Sequence, residues 1–162
     1  MGYTFTIGNA VPEFSKDDGE LSARWAVASA EHQDAPTFPN DTMTGNGNSR
    51  SPSYSAWAEF CRDAGIYDLF YDERGHLHAG HPGCAMLARS DLERVRAALA
   101  ARQNKATLPP GFCGFPEFNQ ESQQWECADD GKYDSTLARL IWLEWWIAWA
   151  LENCETPAIQ NT

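Results

Sequence analysis

A glycine-rich stretch, residues 44–53, contains the residue types that bind small anions. Glycines allow backbone N–H groups to converge on a ligand, and a helix that begins beside such a loop adds the positive end of its dipole. Arg50 adds a positive charge, and Tyr54 and Trp57 follow at positions from which an aromatic ring can stack on a planar ligand. The predicted ligand-binding residues are Thr44, Gly45, Asn46, Gly47, Asn48, Ser49, Arg50, Ser51, Ser53, Tyr54 and Trp57.

The spacing within this stretch limits the kinds of anion site that it can form. It lacks the Gly-Lys-Ser/Thr ending of a P-loop, and Gly45 and Gly47 form an isolated Gly-x-Gly rather than a dinucleotide-binding fingerprint. We therefore predict a non-enzymatic binding protein for a small anionic, nucleotide-like ligand. The alternative for residues 44–53 is a polar surface loop that caps the following helix.

A second concentration of reactive side chains is formed by His76, His78, His81 and Cys84. Imidazole nitrogen and thiolate sulfur are ligands that Zn²⁺ prefers. The segment lacks the two separated ligand pairs of the standard zinc modules. The main expectation is therefore a protein without a cofactor, in which these side chains belong to a turn-rich loop. The alternative function is a small zinc-dependent hydrolase built on these four residues.

Glu144 is the candidate for acid–base chemistry, because it is flanked by apolar residues. Burial raises the pKa of a carboxyl group in general and suits such a group to proton transfer. The competing interpretation is a structural carboxylate bonded to an arginine or to the backbone. The sequence contains no Gly-x-Ser-x-Gly or His-Glu-x-x-His signature, and we predict no catalytic residue.

A tryptophan-rich helix over residues 135–154 is the element around which the rest of the chain must be organised. The segment contains no Gly or Pro, Asp134 or Ser135 can cap its first turn, and Pro157 cannot continue it. At about 100° per residue, one stripe of the helix is aromatic and a second is aliphatic, which predicts a buried helix. The aromatic stripe consists of Trp142, Trp145, Trp146 and Trp149. Charged residues interrupt the helix, so its uninterrupted apolar runs are too short to span a membrane.

Alternation and turn signals predict the remaining elements. Residues 3–7 alternate and contain β-branched and aromatic side chains, which predicts a strand. Residues 21–30 also alternate and follow an Asp-Gly turn, which favours a strand paired back onto the first, and the alternative is a helix, which their alanines would allow. Residues 51–65 and 90–102 are typical of helices. The predicted fold class is α+β: a small N-terminal antiparallel β element packed on three or four helices, with a buried Trp-rich C-terminal helix and two long loops.

The ends of the two shorter helices carry capping signals. Ser51 is the predicted N-cap of the first, with Pro52 as its first helical residue and Gly65 just after its end. The second begins with Ser90-Asp91-Leu92-Glu93, which matches a capping box. We predict one globular domain over residues 1–154 and a C-terminal tail over residues 155–162.

The net charge of the 162-residue chain is −11, which argues against a protein that grips the phosphates of long nucleic acids. It suits a basic protein partner, so an acidic interaction or inhibitor protein, such as a host- or phage-type accessory protein, is the alternative function. The N-terminus does not resemble a signal peptide, and the five cysteines are odd in number, which predicts a cytoplasmic protein with reduced thiols and no membrane partner. A homo-oligomer follows if the tryptophan stripe lies at an interface.

Overall fold

One long helix packs against a curled antiparallel sheet in the computed structural model, which describes residues 2–17, 20–37, 46–106, 117–126 and 134–162. In chain order the elements are β1 (Phe5–Asp17), β2 (Glu20–Val27), β3 (Ser49–Arg50), α1 (Tyr54–Asp63), α2 (Tyr67–Phe70), β4 (Gly83–Met86), α3 (Arg89–Lys105), β5 (Glu117–Asn119), β6 (Gln124–Glu126), α4 (Ser135–Asn153) and β7 (Pro157–Asn161). This mixture of helices and antiparallel strands confirms the α+β prediction.

Strand β1 connects the two parts of the main sheet, whose order is β2-β1-β7-β4. The first half of β1 pairs with β7 and with β3, and its second half, from Ala10 to Asp17, pairs with β2. Strand β2 matches the prediction of a strand within residues 21–30. Strand β1 continues well beyond the predicted residues 3–7, because pairing with β2 satisfies its backbone N–H and C=O groups as far as Asp17.

The last strand, β7, lies between β1 and β4, whereas the sequence predicts a tail over residues 155–162. Ile159 is only 7% exposed and pairs with Ile7 on one side and Ala85 on the other. In this segment the apolar residues Ala158 and Ile159 are adjacent, so the sequence does not show the alternation of apolar and polar residues that would predict a strand. Its position follows from pairing partners that are distant in the sequence.

Helix α4 begins where the sequence predicts, because the Asp134 carboxylate accepts a hydrogen bond from Leu137 N at 2.9 Å. Trp142 and Trp146 are completely buried, and the other two tryptophans of the stripe are half-buried. The helix packs against β1, β7 and α3. Within the described part of the chain, no helix has the length and apolar character needed to cross a membrane.

Helix α1 begins two residues later than the sequence predicts, with Ser53 rather than Ser51 as its N-cap. The Ser53 hydroxyl accepts a hydrogen bond from Ala56 N at 3.2 Å. The delay has a tertiary cause, because the chain before Ser53 is held extended beside the N-terminal strand: Tyr3 N donates to Pro52 O at 3.0 Å. The end of the helix agrees with the prediction, since Gly65 follows it with a φ of 71°.

Helix α3 extends beyond the predicted residues 90–102 at both ends, and Ser90 lies within the helix instead of capping it. Its N-cap is Ala88, whose backbone N–H donates to the Asp91 carboxylate at 2.7 Å. This is one half of a capping box, since alanine has no side-chain acceptor for the reciprocal bond. The helix continues to Lys105, where basic side chains in the last turn complement its dipole.

The hairpin formed by β1 and β2 exposes large apolar side chains. Val11 is 46% exposed, Phe14 is 66% exposed and Trp25 is 45% exposed. Pro12 is paired with Trp25 and Phe14 with Ala23, so the two aromatic rings lie on one face of the hairpin. This face is an apolar surface on an acidic chain.

The ion pair between Arg102 and Asp134 should make the stability depend on pH. Both guanidinium-to-carboxylate hydrogen bonds are short, at 2.7 and 3.0 Å. Burial opposes ionisation of Asp134, but the bonds from Arg102 and from Leu137 N outweigh it and hold the pKa of this carboxyl group below its usual value. Its contribution to stability is therefore complete above the unfolded-state pKa of about 3.9 and is lost as the pH falls through the folded-state pKa.

We expect Asp134→Asn to lower the free energy of unfolding by about 2 kcal/mol at pH 7, because it removes a charge-assisted pair but keeps a capping side chain. Urea unfolding at pH 7 and at pH 3 measures this difference, which should shrink at the lower pH. Glu13→Gln breaks the exposed pair with Arg24 and should change little at either pH. An equal loss at both pH values would contradict the assignment.

Candidate functional site

A cavity of about 200 Å³ lies where β3, the start of α1 and α4 meet. The described residues that line it are Arg50, Ser51, Pro52, Ser53, Ala56, Trp57 and Arg139. Four of them, at positions 50, 51, 53 and 57, belong to the predicted ligand-binding set. Two arginines therefore line one small space in a chain that has only 12 Lys and Arg residues and a net charge of −11.

Arg50 is positioned by β3, in which it pairs with Phe5 of β1. Its side chain is buried, and its guanidinium carbon lies 5.8 Å from the centre of the Trp142 ring. The indole N–H of Trp142 donates to Gly47 O at 3.0 Å, so one α4 side chain contacts both the loop before β3 and the arginine within it. Trp142 of α4 thus helps to position Arg50 at the cavity.

Arg139 comes to the cavity from the first turns of α4. Its guanidinium carbon lies 5.8 Å from the centre of the Phe60 ring, and its Nη1 approaches Ala56 O at 3.5 Å. The side chain is half-buried. Sequence reasoning missed this residue, because within the helix it appears only as a charge that interrupts an apolar run. A signal that placed α4 against the start of α1 would have been needed to find it.

The two serines at the cavity have identifiable partners. The Ser53 hydroxyl caps α1, and the Ser51 hydroxyl lies 3.2 Å from that of Thr4. The first turn of α1 leaves backbone N–H groups at the positive end of the helix dipole beside the same cavity. Guanidinium groups, hydroxyl groups and the start of a helix therefore lie around one space.

Asn48 does not present its side chain to a ligand. It is 1% exposed, its Nδ2 donates to Ile7 O at 2.8 Å and to Ala28 O at 3.0 Å, and its Oδ1 accepts from Ala30 N at 2.8 Å. Through these bonds, Asn48 links β1 to the segment that follows β2. The amide therefore has a structural role: its hydrogen bonds fix the position of the loop that precedes Arg50.

The predicted aromatic stacking positions have different environments. Trp57 is 1% exposed, and its ring lies 4.3 Å from Phe5 and 5.2 Å from Phe70, so no planar ligand can reach its faces without displacing core side chains. Tyr54 is exposed, but its ring packs on Tyr3 at 4.5 Å. Neither arrangement provides a ready base-stacking face.

The other members of the predicted set are placed as follows. Ser49 pairs with Thr6 through their hydroxyl groups at 3.0 Å, and Asn46 accepts a backbone hydrogen bond from His32. Gly47 accepts the Trp142 N–H bond described above. Thr44 and Gly45 lie outside the described residues. The loop therefore contributes to the cavity through its last residues, while the described residues before them fix its position.

The predicted zinc ligands do not converge. His76 Nδ1 lies 3.8 Å from the Asp72 carboxylate, and His78 Nε2 lies 3.1 Å from Asp68 O. Among the described residues, which include all four predicted ligands, no group of three or more His, Cys, Asp or Glu side chains is arranged to hold a metal ion. Within the described ranges, the zinc-hydrolase alternative therefore has no assembled site.

His81 instead belongs to a hydrogen-bonded chain with Tyr54 and Asn161. Asn161 Nδ2 donates to Gly80 O at 2.8 Å, which orients its Oδ1 toward His81 Nδ1 at 2.7 Å. Nδ1 then donates to this oxygen, and Nε2 lies 3.1 Å from the Tyr54 hydroxyl oxygen, within hydrogen-bonding distance. This network joins the start of α1 to β7, and no sequence motif indicates it.

The thiols of Cys61 and Cys84 are unsuited to nucleophilic chemistry. Burial raises the pKa of both, and the positive charges of Arg139 and Arg62 only partly oppose this effect at Cys61. Cys61 is completely buried in the core. Both thiols are therefore protonated at neutral pH.

Glu144 has the structural role that the sequence leaves as the competing interpretation. Its carboxylate accepts a hydrogen bond from Arg96 Nε at 2.7 Å, and its side chain is 21% exposed. The pair links α3 to α4 at the surface of the helix interface. This carboxylate is therefore part of a helix-to-helix ion pair rather than of a reactive cluster.

No family model, curated protein or solved structure matches this chain significantly. What the chain does must therefore be inferred from its own side chains.

Proposed function

We propose that the protein is a non-enzymatic binding protein for a small, phosphate-bearing anion, held in the cavity between Arg50 and Arg139. The observation that carries this proposal is that two guanidinium groups from different elements line one cavity at the start of a ten-residue helix. Each guanidinium group has five N–H donors in a planar fork that matches phosphate oxygens. The start of α1 adds the positive end of a helix dipole.

The composition of the lining favours binding over catalysis. The described lining residues include arginines and serines but no carboxylate, imidazole or thiol. Such a lining can neutralise an anion and donate hydrogen bonds to it, yet it has no general base to activate a nucleophile. Binding without chemical conversion is therefore the function that this lining supports best.

The size of the cavity favours a phosphate group over a whole nucleotide. One water molecule takes about 30 Å³ of liquid volume. A cavity of 200 Å³ therefore has room for the few heavy atoms of a phosphate group. The burial of Trp57 removes the stacking surface that a nucleobase would need. We expect the phosphate to enter the cavity and the rest of a larger ligand to remain outside it.

Calorimetric titration with inorganic phosphate tests this proposal. We expect Arg139→Gln to weaken phosphate binding about tenfold or more, because it removes a charge-assisted interaction while leaving a side chain of similar length. Arg94→Gln is the matched control: it removes an exposed arginine of α3, paired with Asp68, and should leave the affinity unchanged.

Three results would overturn the proposal: no heat of binding with the unmodified protein, equal loss in both variants, or no loss in Arg139→Gln. Titration with adenosine monophosphate then measures the contribution of a base. Affinity equal to that of phosphate is expected, since the described lining offers no stacking face. The free energies of unfolding of both variants should be measured in parallel, so that a change of fold is recognised.

A further inference from the structure

A second cavity, of about 140 Å³, is lined by residues of β4 and β7 and by Phe5 of β1. Three of its apolar lining residues, Phe5, Ile147 and Ile159, are at most 7% exposed and belong to the main hydrophobic core, and the polar Asn161 is 2% exposed. Leu69, Leu77 and Ala85 extend the apolar lining. Elements from distant parts of the chain, β1, α2, α4, β4 and β7, therefore meet around one space with an apolar interior.

The polar residues at this cavity already have partners within the protein. Asn161 bonds to Gly80 O and to His81, the Asp91 carboxylate accepts from Ala88 N, and His78 Nε2 lies 3.1 Å from Asp68 O. A polar ligand would have to compete for these groups. An apolar ligand would leave these bonds intact and would replace water that an apolar surface holds poorly.

We propose that this cavity binds one small apolar ring of about six to eight heavy atoms. A cavity of about 150 Å³ lined by Leu, Ile and Phe side chains is known to take up benzene. This cavity has a similar volume and contains the same three side-chain types, and its polar lining residues are His78, Asp91 and Asn161. The cavity is also partly bordered by exposed residues, including Met86 and His78, so a ligand has a route from solvent. The ligand class follows from the lining, independently of the anion site.

The thermal midpoint of unfolding in the presence of toluene tests this inference. A ligand at about ten times its Kd should raise the midpoint of the unmodified protein by roughly 3–6 °C. Ala85→Leu places extra methyl groups in the cavity, since Ala85 lies opposite Ile159 on the same face of the sheet, and should abolish the shift. Ala97→Leu, on the exposed face of α3, is the control and should retain it.

The smaller replacement Ala85→Val covers the case in which leucine overfills the site and prevents folding. It should reduce the toluene shift relative to the control. Methyl NMR spectra of the unmodified protein give a second readout, in which toluene should move the resonances of Ile147 and Ile159. No shift of the midpoint, an equal shift in Ala85→Val and the control, or unmoved methyl resonances would overturn the inference.

Discussion

Trp142→Ala is expected to lower the free energy of unfolding by about 4 kcal/mol, because it removes a completely buried aromatic ring from the face of α4 that packs on the sheet. The substitution also deletes the hydrogen bond to Gly47 O and the ring beside Arg50. Both the core and the anion cavity therefore lose support. Urea unfolding followed by the fluorescence of the remaining tryptophans measures the change.

Two further variants separate the parts of this effect. Trp142→Phe keeps an aromatic ring but has no N–H donor, and should cost about 1–2 kcal/mol. Trp145→Ala removes a half-buried ring from the same stripe and should cost clearly less than Trp142→Ala. If Trp145→Ala were as destabilising as Trp142→Ala, then the burial pattern assigned to α4 would be incorrect.

Asn48→Ala is expected to lower the free energy of unfolding by about 3 kcal/mol or more. It removes the amide from three backbone partners, Ile7 O, Ala28 O and Ala30 N, and each buried group left without a partner costs about 1–3 kcal/mol. Because these partners belong to β1 and to the segment after β2, the variant should also loosen the loop that carries Arg50. Phosphate affinity should fall with stability.

Asn48→Asp is a sharper form of the same experiment. The carboxylate has nearly the shape of the amide but has no N–H donor, and it would face the oxygens of Ile7 and Ala28. We expect a loss at pH 7 at least as large as that of Asn48→Ala. Asn104→Ala, on the exposed surface of α3, is the control and should be neutral. A small effect of Asn48→Asp would show that the hydrogen bonds of the amide do not stabilise the fold as we describe.

Features that depend on neighbouring residues could be predicted from the sequence. The start of α4 at Asp134 follows from a cap and a long run of helix-forming residues, and the glycine after α1 marks its end in the same way. Strand β2 has its own alternating pattern. In each case, the interactions that determine the element lie within a few positions of it.

Features that depend on distant partners could not be predicted. Asn48 appears as a polar loop residue until Ile7, 41 positions away, is placed beside it. Strand β7 becomes visible only when β1 and β4 are present to pair with it. Ser51 is a residue type that favours an N-cap position. The hydrogen bond from Tyr3 N to Pro52 O holds the chain extended at this point, so Ser53 is the N-cap instead.

The residues of the candidate site can also be separated into those that the sequence predicts and those that depend on distant partners. The loop residues Arg50, Ser51 and Ser53 can be selected together, because they are close in the sequence and precede a helix. Arg139 enters the cavity only through the packing of α4, and its Nη1 lies near Ala56 O, 83 positions away. Trp57 has the spacing of a stacking residue, yet the aromatic rings around it place it in the core.

The most direct test of the proposed function is the anomalous diffraction of crystals soaked in selenate, a tetrahedral dianion with the shape of phosphate. We predict a selenium peak in the cavity, with selenate oxygens about 3 Å from the guanidinium nitrogens of both Arg50 and Arg139. Crystals of Arg139→Gln should lose this peak. An empty cavity in the unmodified protein would contradict the proposal.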